Sequence, residues 1–151
     1  MLKYKLSQIR NISKKILLNL SSTDCIYLLG ELGVGKTTFA RCLIHQLQEK
    51  NRVKKTEVLS PTYNLLHEYD IKSIKVMHYD LYRLEKYKEI EQLGIFEQSK
   101  NIITIIEWPE KMKKKIKDRL EISFYYENEI NSRKIKLKGF GKWENFELNA
   151  I

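Results

Sequence analysis

The spacing of apolar side chains changes from one segment of the chain to the next, and each spacing predicts a different element. Residues 7–20 carry apolar side chains every three or four positions, which predicts an amphipathic helix with Ser7 as its N-cap. Residues 25–29 are continuously apolar and predict a buried strand. Helical spacing returns over residues 39–47, so we expect a second helix that ends near Lys50.

The middle of the chain predicts a hairpin, a helix and a central strand. Residues 65–69 and 74–79 are β-prone segments on either side of a polar turn, which is typical of a β-hairpin. Residues 85–93 predict a helix that ends at Gly94, because glycine is common just past helix C-termini. Residues 102–106 are β-branched and, apart from one threonine, apolar. Such a run is typical of a central parallel strand that is covered on both faces.

The last third of the chain predicts a short helix and a second hairpin. The basic segment 109–116 is expected to form the helix. Apolar and polar residues then alternate over residues 120–125 and again at Ile135 and Leu137, which predicts a C-terminal β-hairpin. The sequence shows neither an internal repeat nor a linker rich in proline and glycine. We therefore expect one α/β domain over residues 1–151, with a mostly parallel central sheet flanked by helices.

The composition limits the classes of protein to which the chain can belong. Hydrophobic residues make up 42% and charged residues 31% of the 151 residues, as in globular proteins. No apolar stretch approaches the roughly 18 residues that a membrane span needs, so no membrane partner is expected. Cys25 and Cys42 lack the spacing of a metal site, and we expect free thiols in a reducing cytoplasm.

The net charge of +9 indicates an acidic partner, and nucleic acid is the usual candidate. The charge is diffuse, however, and only residues 111–119 are densely basic. We interpret this segment as a solvated surface, with RNA contact as the alternative, and expect no DNA binding.

Residues 30–37 fit the pattern G-x-x-x-x-G-K-[ST], whose backbone N–H groups wrap the phosphates of a nucleotide. In this pattern Lys36 reaches the β- and γ-phosphates, and the Thr37 hydroxyl ligates Mg²⁺. The predicted strand before the motif and the helix after it support this interpretation, because a helix N-terminus carries partial positive charge. We therefore expect a P-loop NTPase-like fold that binds a nucleoside triphosphate. The predicted nucleotide-binding residues here are Gly30, Glu31, Leu32, Gly33, Val34, Gly35, Lys36, Thr37 and Thr38.

Two acidic residues stand where predicted strands end, as the second Mg²⁺-side group of a P-loop site should. Asp80 follows the second strand of the hairpin, and Glu107 follows the apolar run 102–106. Ligands of parallel α/β sheets gather at the carboxyl ends of strands, so both acids are expected to face the phosphates. We assign Glu107 to the metal because its strand is the more central one. Asp80 then either ligates Mg²⁺ through water or orients the attacking water.

Side chains near these acids have weaker assignments. Thr62 precedes the hairpin, where switch threonines meet the γ-phosphate. Arg83 is a candidate to neutralise charge at the γ-phosphate, although such an arginine more often forms an ion pair. Tyr82 and Trp108 flank the acids and either pack over the site or anchor a partner. His78 is interpreted as structural, because it has no serine, cysteine or metal cluster to serve.

Four segments in order resemble the TsaE family, also called YjeE, the bacterial ATPase of tRNA threonylcarbamoyladenosine synthesis. They are residues 30–38, 60–63, 78–84 and 106–109. The resemblance implies ATP and Mg²⁺ as cofactors and an accessory ATPase that acts on a TsaD–TsaB pair. TsaD transfers a threonylcarbamoyl group to the adenosine beside the anticodon, so tRNA would be met through that complex.

The same resemblance implies roles for individual residues. Thr37 and Glu107 would hold Mg²⁺, and Asp80 would be catalytic. The adenine base would lie near the N-terminal helix and near Ser132 and Arg133.

Three other functions share the P-loop. A small-molecule kinase would need an arginine-rich lid, and arginine is sparse in this chain. A second alternative is a nucleotide-dependent interaction module with vestigial hydrolysis. The presence of Asp80 and Glu107 argues against a loss of hydrolysis. A GTPase is not supported, because no N-K-x-D segment is present.

Overall fold

A seven-stranded sheet forms the centre of the computed structural model, which describes residues 1–97 and 100–148. Its strands lie in the order β1-β7-β6-β2-β5-β4-β3. In chain order they are β1 (Leu2–Lys5), β2 (Cys25–Leu29), β3 (Leu66–Ile71), β4 (Ile74–Asp80), β5 (Ile102–Glu107), β6 (Arg119–Tyr126) and β7 (Ser132–Phe140). The α-helices are α1 (Ile9–Leu17), α2 (Lys36–Lys50) and α3 (Tyr87–Glu91). Short 3₁₀ turns span Leu6–Gln8, Pro109–Lys111 and Gly141–Trp143.

The sheet is parallel at its centre and antiparallel at both edges. β6, β2, β5 and β4 pair in parallel, whereas β3 pairs with β4, and β7 pairs with β6 and β1, in antiparallel fashion. The predicted α/β fold with a parallel centre and a C-terminal hairpin is therefore confirmed. β1 is an addition, because its alternation over four residues is too short to stand out in the sequence.

Both faces of the central strands are covered, which explains their continuous apolar character. On one face, Ile103 and Ile105 of β5 pack in the larger core together with residues of α1 and α2. On the other face, Ile106 packs in a smaller core together with apolar residues of segment 81–96. Because side chains alternate along a strand, Glu107 lies on the same face of β5 as Ile103 and Ile105. The site residues at the strand ends are thus directed toward α2.

Two helix predictions are wrong in detail. Ser7 lies in the 3₁₀ turn and caps nothing; Gln8 precedes α1, and its Oε1 accepts a hydrogen bond from the Lys5 backbone N–H at 2.7 Å. The helix expected over residues 109–116 is limited to the turn Pro109–Lys111. The next residue, Met112, is extended and only 3% exposed. Burying this apolar side chain in the smaller core pulls the backbone out of the helical path.

Other local predictions are confirmed. Gly94 has the predicted left-handed conformation, with φ +69°, but the helix predicted over residues 85–93 is shorter: α3 is Tyr87–Glu91 with Gln92 as its C-cap, so Gly94 lies beyond the residue that follows the helix. Cys25 and Cys42 are free thiols. Within the described part of the chain, no helix is both long enough and apolar enough to cross a membrane.

Candidate functional site

The loop between β2 and α2 has the backbone geometry that phosphate binding needs. Its glycines Gly30, Gly33 and Gly35 have φ of +135°, +77° and +120°. A Cβ on Gly30 would lie 2.5 Å from the backbone oxygen of Phe124, so this position has no room for a side chain. Gly35 is the N-cap of α2 and offers no side-chain cap. The first N–H groups of this helix therefore point toward the loop as an anion-binding set.

Lys36 is the cation of this loop. It is 4% exposed, and its ammonium donates to the carbonyl oxygens of Gly30 and Glu31 at 2.7 and 2.8 Å. The Nζ also lies 4.1 Å from the centroid of the Trp108 ring. Burial lowers the pKa of Lys36, and the nearby carboxylates, Glu107 first among them, oppose that shift. The Lys36 side chain thus spans the loop between β2 and α2, called the phosphate loop below. Its ammonium N–H groups are donors that a bound anion can accept from.

The two predicted acids end adjacent strands and are paired in register, Asp80 on β4 with Glu107 on β5. Both are buried, at 3% and 2% exposure. The Thr37 hydroxyl donates to the carboxylate of Glu107, with Oγ1 lying 2.9 Å from Oε1 and 3.1 Å from Oε2. The structure therefore brings together the two residues that were predicted to hold Mg²⁺.

Asp80 is held by three donors from the loops around it. The Thr62 hydroxyl donates to Oδ2 at 2.6 Å, and the backbone N–H of Tyr82 donates to Oδ1 at 2.9 Å. Ser60 lies 2.7 Å from the Thr62 hydroxyl and 3.4 Å from Oδ2 of Asp80. Thr62 is thus beside the predicted catalytic acid. Ser60 is also a site residue, although the sequence predicted no role for it.

His78 is the other site residue without a predicted role. Its Nε2 lies 2.9 Å from Oε1 of Glu107, and neither residue is more than 2% exposed. The alternation of side chains along a strand could have revealed this contact. His78 lies on the same face of β4 as Asp80, and Asp80 is the register partner of Glu107 on β5. The interpretation of His78 as structural overlooked this contact.

Trp108 directly follows Glu107 and adopts a left-handed backbone conformation with φ +60°. Its ring packs on Tyr82, with 4.9 Å between the ring centroids. Arg83 is exposed, and its guanidinium lies 5.1 Å from the Tyr63 ring centroid. Arg83 therefore contacts an aromatic ring in this structure, and its role at the γ-phosphate stays a prediction.

Ser132 and Arg133 are the first residues of β7 and do not belong to the loop between β2 and α2. The Ser132 hydroxyl donates to Glu129 at 2.9 Å. The Arg133 guanidinium lies 4.8 Å from the Tyr126 ring centroid, and the Tyr126 hydroxyl donates to Leu32 O at 2.7 Å. Arg133 is thus connected to the phosphate loop through one tyrosine. Contact of either residue with the adenine base stays a prediction.

The cleft between these elements has a volume of about 140 Å³. Sites for whole small molecules usually measure roughly 300–1,000 Å³, so this cleft has room for only part of such a molecule. Val34 is buried in the larger core, and Glu31 is exposed, so neither side chain enters it. The predicted site residues that line the cleft are Leu32, Gly33, Gly35, Lys36, Thr37, Thr38, Thr62, Asp80 and Glu107.

The donor set fits magnesium. Thr37 and Glu107 offer hard oxygen ligands, and Mg²⁺ usually takes one or two carboxylates together with phosphates and water. Among the described residues there is no cluster of three or more histidine, cysteine or acidic side chains that could hold a metal by itself.

Comparison with known proteins gives one consistent result. The family profile described as threonylcarbamoyl adenosine biosynthesis protein TsaE matches residues 4–135. The tRNA threonylcarbamoyladenosine biosynthesis protein TsaE of Rickettsia typhi is 38% identical over 104 residues, which is 69% of either chain. The protein of the same description from Haemophilus influenzae is 41% identical over 100 residues, 64% of this chain and 60% of that one.

A solved structure resembles the whole fold. The crystal structure of Bacillus subtilis YdiB superposes with a TM-score of 0.65 at 21% sequence identity, covering 95% of this chain and 88% of that one. At this identity the likeness concerns the fold alone.

Proposed function

Because the chain belongs to the TsaE family of threonylcarbamoyl adenosine biosynthesis proteins, we propose that it is a Mg²⁺-dependent ATPase of tRNA modification. In this proposal it is an accessory subunit that acts on a TsaD–TsaB complex in the cytoplasm. The family supports the pathway, and the P-loop geometry supports the use of ATP.

The observation that carries the proposal is the contact between Thr37 and Glu107 beside the buried Lys36. In the proposed site, Lys36 turns from the loop carbonyls toward the β- and γ-phosphates. The Thr37 hydroxyl and the Glu107 carboxylate hold Mg²⁺, whose charge neutralises the phosphate oxygens. The N–H groups at the start of α2 bind the phosphates from the other side.

Asp80 is proposed to orient the attacking water. Its carboxylate lies at the cleft and is fixed by Thr62 and by the Tyr82 N–H, so a water bound to it would have a defined position. Thr62 lies in the loop before β3, and Tyr82 lies in the loop after β4. The switch segments of nucleotide hydrolases are loops of this kind. We propose that these loops respond to the γ-phosphate and transmit the nucleotide state to the partner.

ATP turnover with and without TsaD–TsaB tests the proposal. Wild-type protein should hydrolyse ATP only with Mg²⁺, and faster when TsaD–TsaB is present. Lys36→Ala should abolish this activity while the fold persists. Lys50→Ala, at the exposed far end of the same helix, is the matched control and should behave as wild type. Retained turnover in a folded Lys36→Ala protein would refute the proposal.

A further inference from the structure

We infer that His78 is a positioning residue, which fixes the carboxylate of Glu107 for Mg²⁺ without touching the metal or the nucleotide. This inference rests on the proposed function and deepens it. The first observation is the 2.9 Å contact between His78 Nε2 and Glu107 Oε1, in which both side chains are buried. Because a metal-ligating carboxylate can only accept, the inference requires the imidazole N–H to be the donor, with its proton on Nε2.

The second observation is that the same oxygen is shared with Thr37. Oε1 of Glu107 accepts from the Thr37 hydroxyl at 2.9 Å and from His78 at 2.9 Å. A hydroxyl can ligate Mg²⁺ through its oxygen and still donate its proton, so metal binding is compatible with both contacts. Thr37 lies in the first turn of α2 and His78 on β4, so the two donors hold this oxygen from different elements.

The third observation is the lack of any other duty for His78. Its Nδ1 is buried and has no hydrogen-bond partner among the residues that the structure describes. The ring therefore makes one polar contact, and that contact is directed at the proposed metal ligand. Leaving a ring nitrogen unpaired is unfavourable, so a purely space-filling role would be served better by an apolar side chain. Hydrogen bonds of this kind orient metal ligands in many proteins.

Three variants separate positioning from packing. His78→Leu keeps much of the volume and removes the donor. His78→Gln keeps a donor, because its side-chain amide nitrogen can reach the place of Nε2. Val76→Ala damages the same face of β4 two residues earlier and does not touch Glu107, so it reports what loss of packing alone does.

The measurement is the affinity for the fluorescent nucleotide mant-ADP, titrated once with Mg²⁺ and once with EDTA. The ratio of the two affinities isolates the contribution of the metal. We expect His78→Leu to lower this ratio by about 10–100-fold and to leave the affinity in EDTA unchanged. His78→Gln should recover most of the ratio. Val76→Ala should have a lower Tm than the wild type and still show the wild-type ratio of the affinities with Mg²⁺ and with EDTA.

Several results would overturn the inference. These are a wild-type ratio in His78→Leu, an equal loss in His78→Gln, and an equal loss in Val76→Ala. If His78→Leu does not fold, ¹⁵N NMR of the wild-type histidines decides, because the inference requires the tautomer with the proton on Nε2. A wild-type protein without any Mg²⁺ effect would refute the proposed function itself, whereas a Mg²⁺ effect that survives His78→Leu refutes only the role of His78.

Discussion

Replacing Asp80 by asparagine should separate hydrolysis from binding. The change keeps shape and size: the amide oxygen can still accept from the Tyr82 N–H, and the amide nitrogen can donate to the hydroxyl of Thr62. The two shorter charge-assisted hydrogen bonds become neutral ones, at a cost of roughly 1 kcal/mol each, and the 3.4 Å contact from Ser60 is the longest of the three.

Relief of repulsion between the two acids offsets that cost. Asp80 and Glu107 are register partners on strands about 4.8 Å apart. At an effective dielectric constant near 20, two like charges about 5 Å apart repel by about 3 kcal/mol, part of which the nearby Lys36 already cancels. The two effects nearly balance, so we expect the Tm to change by less than about 4 °C.

The rate should respond far more than the stability. Loss of a group that orients or deprotonates water slows hydrolysis by ~10²-fold or more, which is about 2.7 kcal/mol in the barrier. A single-turnover ATPase assay, with Mg²⁺ and ATP titrated beside it, measures both quantities. Asp70→Asn is the matched control, because Asp70 is a strand residue whose side chain is 84% exposed and lies outside the cleft.

Two results would refute this reasoning. One is wild-type hydrolysis by a folded Asp80→Asn protein. The other is a loss of Mg²⁺ affinity in Asp80→Asn, with Glu107→Gln binding normally and failing only at hydrolysis. That second pattern would mean that the two acids have exchanged the roles proposed here.

Three further predictions concern the metal, the loop and the basic segment. Glu107→Gln should weaken Mg²⁺ and nucleotide affinity together in a binding titration, whereas Glu91→Gln, an exposed change on α3, should not. Gly30→Ala should lower the free energy of unfolding in urea by more than Gly94→Ala, since its Cβ would meet a backbone oxygen at 2.5 Å; equal losses would contradict the close packing. Lysines 113–115 are engaged within the chain: all three lie over aromatic rings, and Lys115 also donates to a carbonyl oxygen. Changing all three to glutamine should therefore leave the salt dependence of tRNA binding by the assembled complex unchanged, and a slope reduced by about two to three would restore the RNA-contact alternative.

The sequence alone determined those features of the fold that depend on residues close together in the chain. The phosphate loop was predictable because its strand, glycines and helix are contiguous, so local backbone geometry decides their arrangement. The central position of β5 was predictable because a strand covered on both faces must be apolar at nearly every residue. The ends of β2 and α2 and the conformation of Gly94 follow from equally local signals.

The tertiary structure alone decided which distant residues meet. Thr37 and Glu107 are 70 positions apart, and only the parallel pairing of β2 with β5 brings them into contact. The contact between His78 and Glu107 depends in the same way on the register of β4 with β5. Strand order and register are set by the burial of whole faces and not by any single segment, so a local pattern places a side chain on one face of a strand but does not show which strand lies beside it. The same competition for burial drew Met112 into the smaller core and replaced the predicted basic helix by a turn.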